Sequence, residues 1–190
     1  MEKGTVIHRV FEGTKATKIF FGLWAMALVT SAFISGMSLA GPSMAPMAKA
    51  VPEFNKIKSL VGEWQGQSQD GKSAKVSYTL VSDNSALMER LAISGESEMV
   101  TMYHPDGDHL MMTHYCSAHN QPRMRSEKAS AEIKSIVFDL VDVTNLSAPD
   151  AGHMKRLVLT FTDSNHFTQE WTWTEKGRDG TVVIRFERMK

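Results

Sequence analysis

From residue 60 onward the chain alternates apolar and polar positions with a period of two, in short runs separated by turn residues. Leu60, Gly62, Trp64 and Gly66 fall on one face of the first run, and Glu63, Gln65 and Gln67 on the other. Successive side chains of a β-strand point to opposite faces, so the first set is expected to face a core and the second water. After the hairpin signal Gln69-Asp70-Gly71-Lys72, the next run sets Val76, Tyr78 and Leu80 against Lys75, Ser77 and Thr79. Further strands are predicted over 86–94, 99–104, 110–116, 121–128, 136–143, 157–162, 167–174 and 181–189. Helical spacing is legible only over 52–60, where Phe54, Ile57, Lys58 and, just beyond, Val61 suit one or two turns. Consecutive strands with short connections predict a meander, and closing it removes the exposed edges of an open sheet. The expected fold is therefore all-β: a single antiparallel up-and-down β-barrel of about ten strands after a short helical turn. An open two-sheet sandwich is the alternative.

The first forty residues have a different pattern. Lys3, Arg9, Lys15 and Lys18 precede an uncharged apolar run from Ile19 to Ile34, and Ser38-Leu39-Ala40 supplies small residues where a signal peptidase reads. Residues 1–40 are expected to be a signal peptide; a retained membrane anchor is the competing reading. Cys116 is the single cysteine and lies far downstream, which leaves no thiol for acylation at the processing site. Residues 41–52, with three Pro and two Met, read as a flexible linker, and 53–190 as the barrel domain. The expected location is exported, periplasmic or secreted, with no stable membrane insertion after cleavage.

Charge and cysteine content narrow the picture. Residues 1–40 hold four of the 21 basic and two of the 21 acidic side chains, which leaves 17 against 19 and a formal charge of −2. No basic excess is available to hold nucleic acid. A single cysteine makes no internal disulfide, so the barrel must be stabilised by packing. Oligomeric state is not legible.

Gly62-Glu63-Trp64 on the first strand and Arg185-Phe186-Glu187-Arg188 on the last resemble the calycins, the lipocalin and fatty-acid-binding barrels. In that family the resemblance implies an indole plugging one end of the barrel beneath a guanidinium. Val182, Ile184, Phe186 and Arg188 share a face, which would carry Arg188 inward beside Trp64 for barrel closure. The central stretch, from Tyr103-His104 through Thr113-His114-Tyr115-Cys116 to Asn120-Gln121-Pro122-Arg123, resembles small exported bacterial calycin-like proteins of uncharacterised function. The resemblance implies a barrel and a container for a small molecule, and transfers no substrate.

Candidate ligand contacts come from the predicted hairpins. A four-residue loop over Pro105–Asp108 pairs His104 with His109 and Thr101 with Met112, and a turn over Ser117–Asn120 sets Cys116 opposite Gln121 and His114 opposite Arg123. One face then presents His114, Cys116, Gln121 and Arg123; the other presents Thr113, Tyr115, Pro122 and Met124. The first is taken as the inner face because Leu110 and Met112 share it. Arg123 would bind a ligand carboxylate or phosphate with His114 assisting, or would pair internally with Glu89. Phe167, Gln169, Trp171 and Trp173 form an aromatic wall or simple core. Met88, Met99, Met102, Met111, Met112 and Met124 are expected to add an adaptable lining. The ligand-binding set is thus His114, Arg123, Met112, Glu89, Trp171, Trp173 and Gln169, for a small amphipathic or apolar molecule.

Other chemistry is less supported. His104, His109, His114 and His119 recur every five residues, which matches no zinc spacing, and no metal site is expected. No cofactor is expected; a haem would require one inward histidine, His114, as in the nitrobindin barrels of similar architecture. Nucleotide and hydrolase motifs are absent, and Cys116 stands too far from His114 along the strand for direct proton transfer, so the chain reads more as a binder than an enzyme. A structural or partner-binding envelope protein with a filled barrel is the remaining reading. A carrier would need a cavity of roughly 300 Å³ or more.

Overall fold

The computed structural model describes residues 51–128 and 132–190. The expected signal, and the linker as far as residue 50, lie outside the described residues. Val51 is buried and Pro52 opens the first helix, so the barrel's packed structure begins inside the segment read as linker.

The elements are α1 (Pro52–Lys58), β1 (Gly62–Ser68), β2 (Ser73–Val81), β3 (Ala86–Ile93), β4 (Met99–Asp106), β5 (His109–Tyr115), β6 (Gln121–Ser126), β7 (Ser135–Thr144), β8 (His153–Phe161), β9 (His166–Glu175) and β10 (Arg178–Arg188). Each strand pairs antiparallel with its sequence neighbours, and β1 pairs with β10 to close the cylinder. The period-two pattern explains this directly: on β1 Trp64 and Ser68 are buried while Glu63, Gln65 and Gln67 are not. A ten-strand cylinder has no free edge along which another chain could add.

One end is closed by packing. Val51, Phe54, Ile57 and Leu60 join Trp64 in the core, and α1 lies across this end with Lys56 Nζ 4.7 Å from the Phe161 ring centroid at the end of β8. Trp64 Nε1 donates to Leu60 O at 2.7 Å, and the Trp64 ring meets Phe167 edge-on at 4.7 Å. Arg188 pairs with Trp64 across the β1–β10 ladder, and its guanidinium lies 4.0 Å from the indole centroid. Its Nε, Nη1 and Nη2 donate to Ser164 O (3.1 Å), Val61 O (2.9 Å) and Ser59 O (2.7 Å). The cation over the ring adds roughly 0.5–2 kcal/mol to those bonds. Gly66 is required close by, because a Cβ there would come within 2.5 Å of Phe186 Cδ1 and 2.4 Å of Arg185 O.

Two hairpins differ from the sequence expectation in register, with opposite consequences. The β4–β5 turn holds two residues, not four: Asp106 pairs with His109, and Gly107 takes φ 63°, which suits a tight hairpin turn. Thr101 therefore pairs with His114, not Met112. A shift of two leaves every side chain on its expected face. The β5–β6 turn closes earlier than expected: Cys116 N donates to Asn120 O at 3.1 Å, and His119 takes φ 63°. Arg123 accordingly pairs with Thr113, and Met112 with Met124. A shift of one reverses a whole strand. Pro122, Met124 and Ser126 point in, and Arg123 points out.

Candidate functional site

At mid-barrel, inward-facing polar residues meet in a connected cluster. Glu89 on β3 is fully buried, with its Oε2 accepting from Tyr103 Oη (2.8 Å) and Gln169 Nε2 (3.0 Å). Gln169 Nε2 also donates to Tyr78 Oη at 2.7 Å, while its Oε1 accepts from Trp171 Nε1 at 2.9 Å. Burial raises the Glu89 pKa, and bonds from the Tyr103, Tyr78 and Gln169 side chains only partly oppose this. Both tyrosines are also pushed well above the usual phenol value, chiefly by burial. Among the described residues no hydrogen-bond partner reaches Glu89 Oε1. That is where a neutral carboxyl would carry its proton.

The cluster continues toward the barrel end opposite Trp64. Thr101 on β4 meets His114 Nδ1 through its Oγ1 at 2.9 Å. In the tautomer in which Nδ1–H donates to Thr101, Nε2 keeps its lone pair. His114 is 1% exposed, and among the described residues nothing bonds its Nε2. Burial lowers its pKa to about 4, so the imidazole is neutral at pH 7. Trp171 packs against it, with ring centroids 4.6 Å apart.

Above these rings is a pocket of about 80 Å³, lined by His114, Trp171, Cys116, Met99 and Met154 together with aliphatic side chains such as Val182. It opens at the barrel mouth, where β3 and β5 end and β4 and β8 begin. It is far smaller than the roughly 300 Å³ expected of a carrier for drug-sized molecules. The remaining interior is filled by Trp64, Tyr78, Tyr103, Phe138 and Phe167, among others.

The structure separates the residues grouped by sequence. His114, Glu89, Gln169 and Trp171 join one hydrogen-bonded and stacked assembly, and Met112 is buried on the His114 face. Arg123 is not in it. The one-residue register change turns it outward, where Nε donates to Asp142 Oδ1 at 2.6 Å and Nη2 bonds the second carboxylate oxygen. Arg123 in turn holds the Asp142 pKa below its usual value. The expected pairing of Arg123 with Glu89 is therefore replaced by one on the outer surface. Trp173 is half-buried and lies across Gly180, where a Cβ would fall 2.3 Å from its Nε1. Of the six methionines expected in the lining, Met88, Met102 and Met111 lie half-buried on outward positions, and Met99, Met112 and Met124 point inward. Thr101, Tyr78 and Tyr103 were not singled out in sequence, although their inward parity was legible. Met154 had no such signal, because a bulge between Met154 and Arg156 sets its direction.

No family model and no curated relative matches this sequence. Among solved structures, the chain is similar to Rv2717c from M. tuberculosis, with 14% identity and a TM-score of 0.50 over 75% of this chain and 100% of that one. A DUF3598-family protein of unknown function from Nostoc punctiforme matches with 14% identity and a TM-score of 0.42, over 70% of this chain and 49% of its own. EF1p2_mFAP2b bound to DFHBI matches with 9% identity and a TM-score of 0.35, over 72% and 98%. At these identities the likeness to Rv2717c concerns the fold alone.

Proposed function

We propose that this protein is an exported calycin-like binding barrel whose ligand seats in the mouth pocket against Trp171 and is anchored by His114 Nε2. The observation that carries this reading is a buried imidazole nitrogen that, among the described residues, has no partner, at the floor of an apolar pocket. Leaving such a group unsatisfied costs about 1–3 kcal/mol, which a ligand donor or coordinating atom would recover. The volume restricts a preformed fit to a small, largely apolar molecule with one polar point. Arg123 has no part in this site, so a carboxylate anchor is not included.

Native mass spectrometry of protein purified from its own host should show a retained small adduct that His114→Ala loses. Val182→Trp should fill the pocket and exclude phenol, followed by chemical-shift perturbation at His114. Phenol binding that is unchanged in both variants would overturn the reading. The packed interior supports a second reading, an envelope protein with a filled barrel that recognises partners by its surface. Absence of any adduct together with no shift on adding phenol would favour it.

A haem fits His114 in donor chemistry but not in space, since about 80 Å³ does not admit the macrocycle with the side chains as placed. A Soret band that shifts in His114→Ala would contradict that conclusion. Export is tested by fractionation: a mature chain shortened by about 40 residues should appear outside the cytoplasm.

A further inference from the structure

The mouth pocket gathers an unusual set of donors. His114 contributes an imidazole nitrogen, Cys116 a thiol, and Met99 and Met154 two thioethers, all lining the same hollow of about 80 Å³. Cys116 is a free cysteine, and the ladder that pairs Val100 with Tyr115 brings Met99 opposite it at the next step. His114 lies on β5 and Cys116 just past its end, two residues further on, roughly 6.5–7 Å along an extended backbone. That spacing is long for proton transfer between them, but donors bound about 2 to 2.3 Å from a shared ion stand roughly 4 Å apart. Met154 reaches the pocket from β8 beside its bulge.

We propose that the mouth pocket is a soft-metal site, taking monovalent copper through His114 Nε2, Cys116 Sγ and the thioethers of Met99 and Met154. The inference rests on the reading of this pocket as a ligand site and gives that site a second class of ligand. Thiolate and thioether donors select Cu(I) over harder divalent ions. Among the described residues no group of three or more His, Cys, Asp or Glu side chains is placed to hold a metal, so a zinc or calcium set is not available here. Glu96 also lines the pocket, but its carboxylate is paired with Lys72 at 2.9 Å. The charge balances: Cys116 releases its thiol proton to solvent as the metal–sulfur bond forms, and one thiolate neutralises one Cu(I). A neutral assembly can be buried in the surrounding Leu91, Ile93, Val182 and Ile184 side chains, where an uncompensated ion could not.

The test is anaerobic titration of the purified protein with Cu(I) in competition with bicinchoninate, with Ag(I) as the redox-inert counterpart. The expected result is one equivalent bound, weakened more than about tenfold in Cys116→Ser and again in the double variant Met99→Leu/Met154→Leu. No competition by the wild-type protein, or affinity unchanged in Cys116→Ser, would overturn the metal assignment. Phenol binding read on the same samples separates the two readings. If phenol shifts His114 while Cu(I) is not retained, the metal inference fails and the pocket stands; if Val182→Trp alters neither titration, the pocket itself is wrong. Circular dichroism of each variant reports whether the barrel remains folded.

Discussion

The two ends of the barrel are built from the same alternating strands but are finished differently. At the closed end, Trp64 Nε1 reaches Leu60 O, and the three Arg188 nitrogens reach three carbonyls while the guanidinium covers the indole. At the mouth, His114 Nε2 is left without a bond among the described residues, beneath a hollow of about 80 Å³ lined by methionine, cysteine and tryptophan. The aromatic, fully bonded end serves stability. The open end carries the cost of an unsatisfied polar atom, which is consistent with a site completed by something other than the chain itself.

The largest effect that should separate the ends is Trp64→Ala. Removing a fully buried indole is expected to cost about 3–5 kcal/mol in urea unfolding, with phenol binding at the mouth retained wherever the variant remains folded. Equal loss of both would show that the ends are not independent.

Next comes the acid response of the mouth. His114 titrates near 4 in the fold against 6.5 ordinarily, so on acidification the unfolded chain takes up the proton first. Stability from this group is complete above pH 6.5 and is lost as pH falls toward 4, by about 3 kcal/mol in total. Glu89 acts in the opposite sense. Its raised pKa means that the folded protein keeps the proton longer, so stability falls as pH rises from 4.5 through the folded value. His114→Phe should flatten the acid side of the urea-midpoint profile, and Glu89→Gln the alkaline side. A profile unchanged by either substitution would contradict the burial of these groups.

A smaller effect is expected from Arg188→Met, which keeps the packing stem but removes three bonds and the cation. A loss of about 2 kcal/mol in unfolding free energy is anticipated, without change at the mouth. The smallest is Arg123→Ala: its ion pair with Asp142 is on the outer surface, so stability and phenol binding should both stay within measurement error. Loss of ligand binding in that variant would return the guanidinium to the site and overturn the register described for β5 and β6.

Much of the candidate site was legible along individual strands. Gln169 and Trp171 share a face by period two, as do Met112 and His114, because side-chain alternation is a local property of extended backbone. Arg123 was misplaced because its direction depends on where β6 starts, and that depends on one loop residue. His119 in the left-handed region shortens the turn by one and reverses the strand. Histidine carries no strong turn signal of the Asn-Gly kind, so the sequence pattern did not reveal the shorter loop.

By itself the amino-acid sequence determined the all-β class, the strand order and the composition of each strand face, since these follow from periodicity and short connections. Only the tertiary structure decided that Glu89 meets Tyr78, Tyr103 and Gln169, that His114 Nδ1 meets Thr101, and that Met99, Cys116 and Met154 surround one hollow. Those relations depend on register and curvature around a closed cylinder, where a one-residue shift or a single bulge redirects side chains that are distant in the chain.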